Sequence, residues 1–370
     1  MHRVRGGAWC EFGEGESMTA LAKADRPALK NPQIWTYGNV MSTQVACKAG
    51  YTRRLYRLSP VFMSEQETLS AGDAEQLASR LERHPAYRIL RRLPERSAYC
   101  EPDGRTLARG AVVDTETTGL SLEVDAIIEF AMVVFEYCRD SGRVYRILEI
   151  FDQLEDPGVP IPPASIAVHG ITDAMVAGKR IDDARVAELV QGLDLVIAHN
   201  ARFDRPFLEH RLPIFKTLPW ACSLQQVGWS SESMSSAKLE YLAYRMGFFY
   251  DAHRAQTDCL ALLELLATPL PVSGRLALAC LLEKAQDKDY RVYAVKAPFD
   301  SKDLLKARTY RWDPERRCWH RTLSGDMMPA EIEWLKTHVY GGRPASLDFE
   351  AMDALCRFSM RNGRVFSREI

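Results

Sequence analysis

The chain has 370 residues, with 48 Lys and Arg against 49 Asp and Glu and 46% hydrophobic residues. That is ample for one sizeable core plus smaller domains, but a net charge of −1 does not advertise a nucleic-acid partner for the whole molecule, so charge has to be read locally. No apolar run approaches the roughly 18 residues of a membrane span, and nine scattered cysteines (10, 47, 100, 138, 222, 259, 280, 318, 356), an odd count without a C-x-x-C pair, favour free thiols in a reducing cytoplasm.

Residues 1–62 mix Gly, Pro, Arg and isolated aromatics (Trp9, Trp35, Tyr37, Tyr51) without a sustained period, and are expected to be a disordered extension. They lack the contiguous apolar region of a signal peptide. Met63 opens the first well-patterned stretch, so a translation start there, or at Met18 or Met41, is an alternative to Met1. Residues 63–104 read as a helical lead-in. Leu69, Ala74, Leu77, Ala78 and Leu81 repeat at helical spacing up to about His84, before Pro85. The segment Tyr87 to Arg96 carries Arg88, Arg91, Arg92 and Arg96. It reads as a linker packed on the next domain, with a clamp on a phosphate backbone as the alternative.

The stretch that organises the chain is Ala-Val-Val-Asp-Thr-Glu-Thr-Thr-Gly-Leu at 111–120. A β-branched run ending in Asp114 and Glu116 predicts a buried strand, and acids at i and i+2 point to the same face. Two like charges held together are costly unless a cation lies between them. Ile127 to Glu136 and Val144 to Phe151 read as the next two strands. The apolar run Leu193 to Ala198 then leads into His-Asn-Ala-Arg-Phe-Asp at 199–204, with Asp204 in the first turn of a helix. His253-Arg-Ala-Gln-Thr-Asp258 precedes the leucine-rich pattern from Leu260 to Leu266, so His253 falls in a loop and Asp258 at a helix start.

Three separated segments, each delivering acid to the edge of an apolar element, resemble the exonuclease motifs of the DEDD superfamily in its histidine subtype. That family includes the proofreading exonuclease subunit of bacterial replicative DNA polymerases, ribonuclease T and oligoribonuclease. The matches are D-x-E-T-T-G-L, H-N-A-x-F-D and H-x-x-x-x-D, in the family's order, with Asp125-Ala-Ile-Ile-Glu and His169-Gly-Ile-Thr-Asp as secondary signatures. The resemblance covers about residues 105–270. It implies an α/β, ribonuclease H-like fold: a mixed sheet flanked by helices, with the active site at the strand ends.

The resemblance also implies a chemistry. Asp114, Glu116, Asp204 and Asp258 would hold two Mg2+ or Mn2+ ions, hard cations suited to oxygen ligands, with Asp114 bridging them. Such a pair lowers the pKa of the attacking water and offsets charge on the transition state and leaving oxygen. His253 would be the general base, since an imidazole titrates near neutrality. Thr117, Thr118, Gly119 and Leu120 are candidate contacts to the terminal nucleotide, and Asn200 and Phe203 to its sugar or base. Each of these has an ordinary structural alternative as turn former, core residue or cap, as does His169, whose context could be a turn with Thr172 capping the helix from Asp173.

Pro269-Leu-Pro-Val-Ser-Gly274 marks a boundary. Beyond it, residues 274–340 predict a small basic α+β module. Its elements are a helix over Leu276 to Ala285, a strand over Tyr290 to Val295, a short helix over Ser301 to Ala307, a hairpin around Asp313-Pro314 and a helix over Pro329 to His338. The run from Ala297 to Trp319 resembles a small module appended to some primases and other DNA-processing enzymes. Lys302, Lys306, Arg308, Arg311, Arg316, Arg317 and Arg321 interleave there with Tyr310, Trp312 and Trp319, a composition suited to single-stranded nucleic acid. The tryptophans are read as core of the small module, with its basic face free to bind. Residues 341–370 are read as a basic tail, with Arg357, Arg361, Arg364 and Arg368 spaced along a helix.

The expected function is a metal-dependent 3′ to 5′ exonuclease on DNA that releases nucleoside 5′-monophosphates in the cytoplasm. An RNA 3′ exonuclease of the ribonuclease T or oligoribonuclease sort is the alternative, because the same acids and histidine serve both. A DNA polymerase is a candidate partner. A non-catalytic polymerase-associated subunit is the third reading, and the intact acid and histidine set argues against it.

Overall fold

Alternation along residues 107–117 sets the frame. In this computed structural model, which describes residues 69–370, Val112 faces one apolar cluster while Ala111 and Val113 face another. The extension read over 1–62 lies outside the described residues. In chain order the strands are β1 (Arg91–Arg92), β2 (Leu107–Thr117), β3 (Ile127–Cys138), β4 (Val144–Leu154), β5 (Leu195–Ala198), β6 (Trp220–Cys222) and β7 (Phe248–Phe249). Beyond them come β8 (Asp289–Ala294), β9 (Arg311–Asp313), β10 (Cys318–Ser324), β11 (Ser346–Met352) and β12 (Arg364–Glu369).

The main sheet has the order β4-β3-β2-β5-β6. β2 runs antiparallel to β3 and parallel to β5, so the sheet is mixed, as the resemblance implies. Helices Leu239–Met246, Ala255–Leu266 and Ala277–Gln286 cover one face, and Asp183–Leu189 and Ala201–Arg211 cover the other. With both faces covered, β3 is buried almost throughout, and each fully buried Val, Ile or Phe contributes roughly 1.5 to 3 kcal/mol.

The lead-in behaves as a packed linker. β1 adds to β7 in a two-stranded parallel pair, and the arginines are taken by this chain. Arg91 pairs with Glu75 and Glu82, Arg92 with Asp251, and Arg96 with Glu264. Arg88 donates to the carbonyls of Tyr244 and Arg245. None of the four is left over for a phosphate.

The C-terminal region departs from the sequence reading in three respects: the helix read over Leu276 to Ala285 as part of the small module packs on the main sheet, Trp312 is exposed, and the last thirty residues are not a tail. Residues 341–370 are not a separate helical tail: β11 and β12 join β8, β10 and β9 in one antiparallel sheet of order β12-β11-β8-β10-β9. The four-residue arginine spacing imitated a helix, whereas the deciding signal was Leu347 and Phe349, alternate residues fully buried in the module's core. Two of those arginines serve structure. Arg357, 4% exposed, donates to the carbonyl oxygens of Ala285 and Asp287, and Arg361 pairs with Glu209. Trp319 packs against the module's core as expected, but Trp312 is 49% exposed and meets Trp319 edge to face at 5.5 Å.

The C-terminal segment is tied to the main sheet through Arg205, on helix Ala201–Arg211. Its side chain is fully buried, stacks over Trp220, pairs with Glu209 at 2.7 Å, and donates to the carbonyl oxygens of Ala354, Leu355 and Arg357. Truncating it would remove a buried charge from beside Glu209, which keeps Arg361, and take a donor from the carbonyls of Ala354, Leu355 and Arg357, a loss of about 3 to 5 kcal/mol. Arg205→Met is therefore expected to lower Tm by on the order of 10 °C, measured by calorimetry. Arg205→Lys should recover little of it, because one ammonium cannot reproduce the guanidinium fork.

Candidate active site

At the end of β2 the strand parity that buries Val112 against helix Ala255–Leu266 also turns Asp114 and Glu116 toward that helix. Asp258, in the helix's first turn, meets them: one oxygen from each of the three carboxylates lies within 4.8 Å of the others. Burial and the neighbouring Asp204, Asp258, Glu116 and Glu129 raise the Asp114 carboxyl well above its ordinary range. Glu116 is pushed up to about 8 by burial and by Asp258, Glu129 and Asp204. Three converging acids that resist ionisation together, all with oxygen donors, are what a divalent cation would relieve. The donor set fits Mg2+ or Mn2+.

Asp204 reaches the same strand end from the opposite face. Its Oδ1 accepts from the main-chain N–H of Thr115 at 3.1 Å and from the Thr115 hydroxyl at 2.9 Å. Those bonds set it beside the three-carboxylate group but outside the 4.8 Å cluster. Burial nevertheless raises its carboxyl above the usual range.

Asp258 is oriented twice: Oδ1 accepts from the Tyr250 hydroxyl at 2.9 Å, and Oδ2 from the main-chain N–H of His253 at 2.8 Å. The second bond fixes the loop on which His253 sits exposed with φ of 66°, a left-handed backbone uncommon for residues other than glycine. The five-residue spacing thus makes a loop that grips its own carboxylate.

The substrate candidates separate into two groups. Thr117 and Thr118 are buried and occupied: the Thr117 hydroxyl donates to the Gly119 carbonyl, and the Thr118 hydroxyl donates to Asp125 at 3.0 Å. Gly119 has no room for a side chain, since a Cβ there would lie 2.6 Å from the Asp125 carboxylate. These residues shape a turn. Leu120 projects from it 86% exposed, and Asn200, in left-handed conformation with φ of 80°, is also exposed. Phe203 is half-buried against Phe207, with ring centroids 5.1 Å apart.

Sequence reasoning missed a supporting layer. Glu129 lies directly opposite Glu116 across β2 and β3, just before a register shift between Glu116 and Thr117. Like charges in that relation repel. Arg254 relieves them by pairing with Glu129 at 2.6 Å, while Glu129 also accepts from the Ala255 N–H at 2.9 Å. The signal was present, since Glu129 closes the Asp125 signature and Arg254 follows His253. His169 is buried, its Nδ1 accepting from the Ile171 N–H at 3.0 Å, and burial lowers its pKa.

This frame, a mixed sheet with acids gathered at one end of its central strand, defines a carboxylate-centred hydrolase site. The family described as Exonuclease matches residues 111–266. DNA polymerase III subunit epsilon of Treponema pallidum is 32% identical over 168 residues, 42% of this chain and 73% of that protein. A DNA polymerase III subunit epsilon-like protein of Rhodobacter capsulatus is 46% identical over 105 residues, 27% of this chain and 14% of that one. Among solved structures, Exonuclease X in complex with 5′ overhanging duplex DNA aligns over 46% of this chain and 97% of that chain, at 27% identity and a TM-score of 0.35. The chain belongs to the exonuclease family that includes the epsilon subunit of DNA polymerase III, and it is a nuclease.

His199, first in the H-N-A-R-F-D segment, has a structural part. Its ring nitrogens lie 2.7 Å from the Ser223 hydroxyl and 2.8 Å from the Ala237 carbonyl, pinning the end of β5. Burial pushes its pKa down to about 4 from the ordinary 6.5. The unfolded chain therefore takes up a proton below pH 6.5 that the fold refuses until about pH 4, so this part of the stability is complete above 6.5 and lost as pH falls across that window. Urea titrations at pH 7 and pH 5 are expected to show a smaller loss for His199→Gln than for the parent chain. Equal losses would remove His199 from the acid sensitivity.

Proposed function

We propose that the chain is a 3′ to 5′ exonuclease that hydrolyses phosphodiesters at the 3′ end of single-stranded DNA and releases nucleoside 5′-monophosphates in a reducing cytoplasm. The observation that carries this reading is the convergence of Asp114, Glu116 and Asp258 within 4.8 Å, with the loop of His253 tied to the last of them at 2.8 Å. DNA is favoured because the relative from Treponema pallidum is a DNA polymerase III subunit, which also makes a polymerase a candidate partner.

Asp114, Glu116 and Asp258, with Asp204 behind the strand tip, would hold Mg2+ or Mn2+, which when bound supply an activated water and offset charge on the phosphoryl oxygens. The rest falls to the chain. His253 accepts the proton of the attacking water, a role for which its exposed loop position and tethered main chain suit it. Arg254 keeps Glu129 neutralised, so that the repulsion reaching Glu116 is reduced. The turn at Thr117 to Gly119 approaches the terminal nucleotide with its backbone, Leu120 supplies an apolar contact for the base, and Asn200 and Phe203 border the sugar. Buried cysteines 138, 222, 259 and 318, all free among the described residues, fit the reducing compartment.

Purified protein with Mn2+ or Mg2+ on matched 5′-labelled DNA and RNA strands tests this. A ladder shortening from the 3′ end of DNA is expected, abolished by EDTA and by Asp114→Ala, and slowed about 100- to 10,000-fold in His253→Ala. A ladder on RNA alone would move the substrate to RNA. Absence of cleavage on both would contradict the reading.

A further inference from the structure

The C-terminal sheet has one apolar face and one polar face. Val292, Ala294 and Leu323 face the module's core, so the alternate residues Arg291, His320 and Thr322 share the other side, in register as Thr322 opposite Arg291 and Arg311 opposite His320. Between that side and helix Ala201–Arg211 lies a cleft of about 330 Å³ lined by Arg202, Arg291, Arg311, His320, Arg321 and Thr322, among others. Among the described residues no carboxylate lines it.

Two of these charges lack a counter-charge among the described residues. Arg321 pairs with Glu331 and Arg291 with Glu350, but among the described residues Arg202 and Arg311 make no ion pair. Two of the lining residues carry a buried atom without a hydrogen-bond partner among the described residues, Nε of Arg291 and Nδ1 of His320. Each leaves roughly 1 to 3 kcal/mol unrecovered. A group with several acceptor oxygens and a negative charge would satisfy the guanidinium donors together. The cleft is also placed for a strand. Arg202 stands two residues before Asp204 in the first turn of that helix, on a different side of it, and a cavity of about 510 Å³ shares Arg202, Arg291 and Thr322 with the cleft and adds Lys284, Asp289 and Arg361.

We propose that this cleft binds the phosphodiester backbone of the substrate strand, upstream of the nucleotide held at the carboxylates, so that the C-terminal module and the motif helix grip one strand jointly. The inference rests on the exonuclease reading for what lies in the site, while its occupant is defined by phosphate chemistry alone. Since arginines contact phosphates and not sugars, the grip is the same for DNA and RNA.

The test is equilibrium binding of a 5′-fluorescent 12-nucleotide strand to the full chain in EDTA, where cleavage cannot intervene, followed by anisotropy over a range of salt. The Arg202→Ala/Arg311→Ala double variant is expected to bind about tenfold or more weakly, with the slope of log K against log salt shallower by about 0.7 for each phosphate that is no longer neutralised. Lys336→Ala, on the helical segment covering the opposite face of the sheet, should bind like the parent. Both replaced arginines are exposed and without an ion pair among the described residues, and a matching Tm for the double variant shows that the fold is kept; Arg311→Ala alone supplies the same comparison if it does not. An unchanged Kd and salt slope would overturn the proposal, as would displacement of the strand by a mononucleotide at equal phosphate concentration, which marks a small-anion site. Arginine-dependent binding by a chain that cleaves no 3′ end would leave the cleft standing and sink the exonuclease reading instead.

Discussion

Repulsion among carboxylates is the constraint around which this molecule is arranged. Asp114, Glu116 and Asp258 converge within 4.8 Å, Asp204 waits behind the same strand tip, and Glu129 faces Glu116 across the sheet. Three of these acids are held by partners: Asp204 by Thr115, Asp258 by Tyr250 and the His253 main chain, Glu129 by Arg254 and Ala255. The packed faces of the sheet supply the stability that such crowding costs. Strand parity then decides which acid meets which, because Asp114 and Glu116 share a side with the helix of Asp258, whereas Asp204 arrives from the other.

The same helix that carries Asp204 carries the links to the C-terminal module. Arg202 borders the basic cleft, Asp204 stands at the strand end, Arg205 holds the carbonyls of 354, 355 and 357, and Glu209 takes both Arg205 and Arg361. Site and module are therefore coupled through one helix. Displacing residues 354–361 would unburden Arg205 and Glu209 of their partners and shift the element on which Asp204 depends.

Much of the main sheet and the acid set was legible because both rest on short-range rules: strand parity, apolar runs that stop at an acid, and a loop whose histidine and aspartate are spaced to close on each other. What was not legible depends on pairing between distant residues. Glu129 looked like one letter of a signature until register set it opposite Glu116. Arg254 looked like a neighbour of His253 until it met Glu129. In the last thirty residues, arginines at helical spacing outweighed the weaker alternation of Leu347 and Phe349, because a strand of that length gains its meaning only from β8 beside it. In the lead-in only Arg91 finds its partners, Glu75 and Glu82, close in sequence, whereas Arg92 and Arg96 meet Asp251 and Glu264 far along the chain. Thr117 and Thr118 took the ordinary role of turn residues; Leu120 and Asn200 remain exposed.

If the crowded carboxylates are a site for paired divalent ions, crystals soaked in Mn2+ and measured at the manganese edge will show it most directly. Two anomalous peaks are expected, roughly 3.5 to 4 Å apart, in contact with Asp114, Glu116 and Asp258, with Asp204 completing one of them. Full occupancy of the crystal by Mn2+ at other surfaces, with no peak among these four acids, would contradict a metal site there.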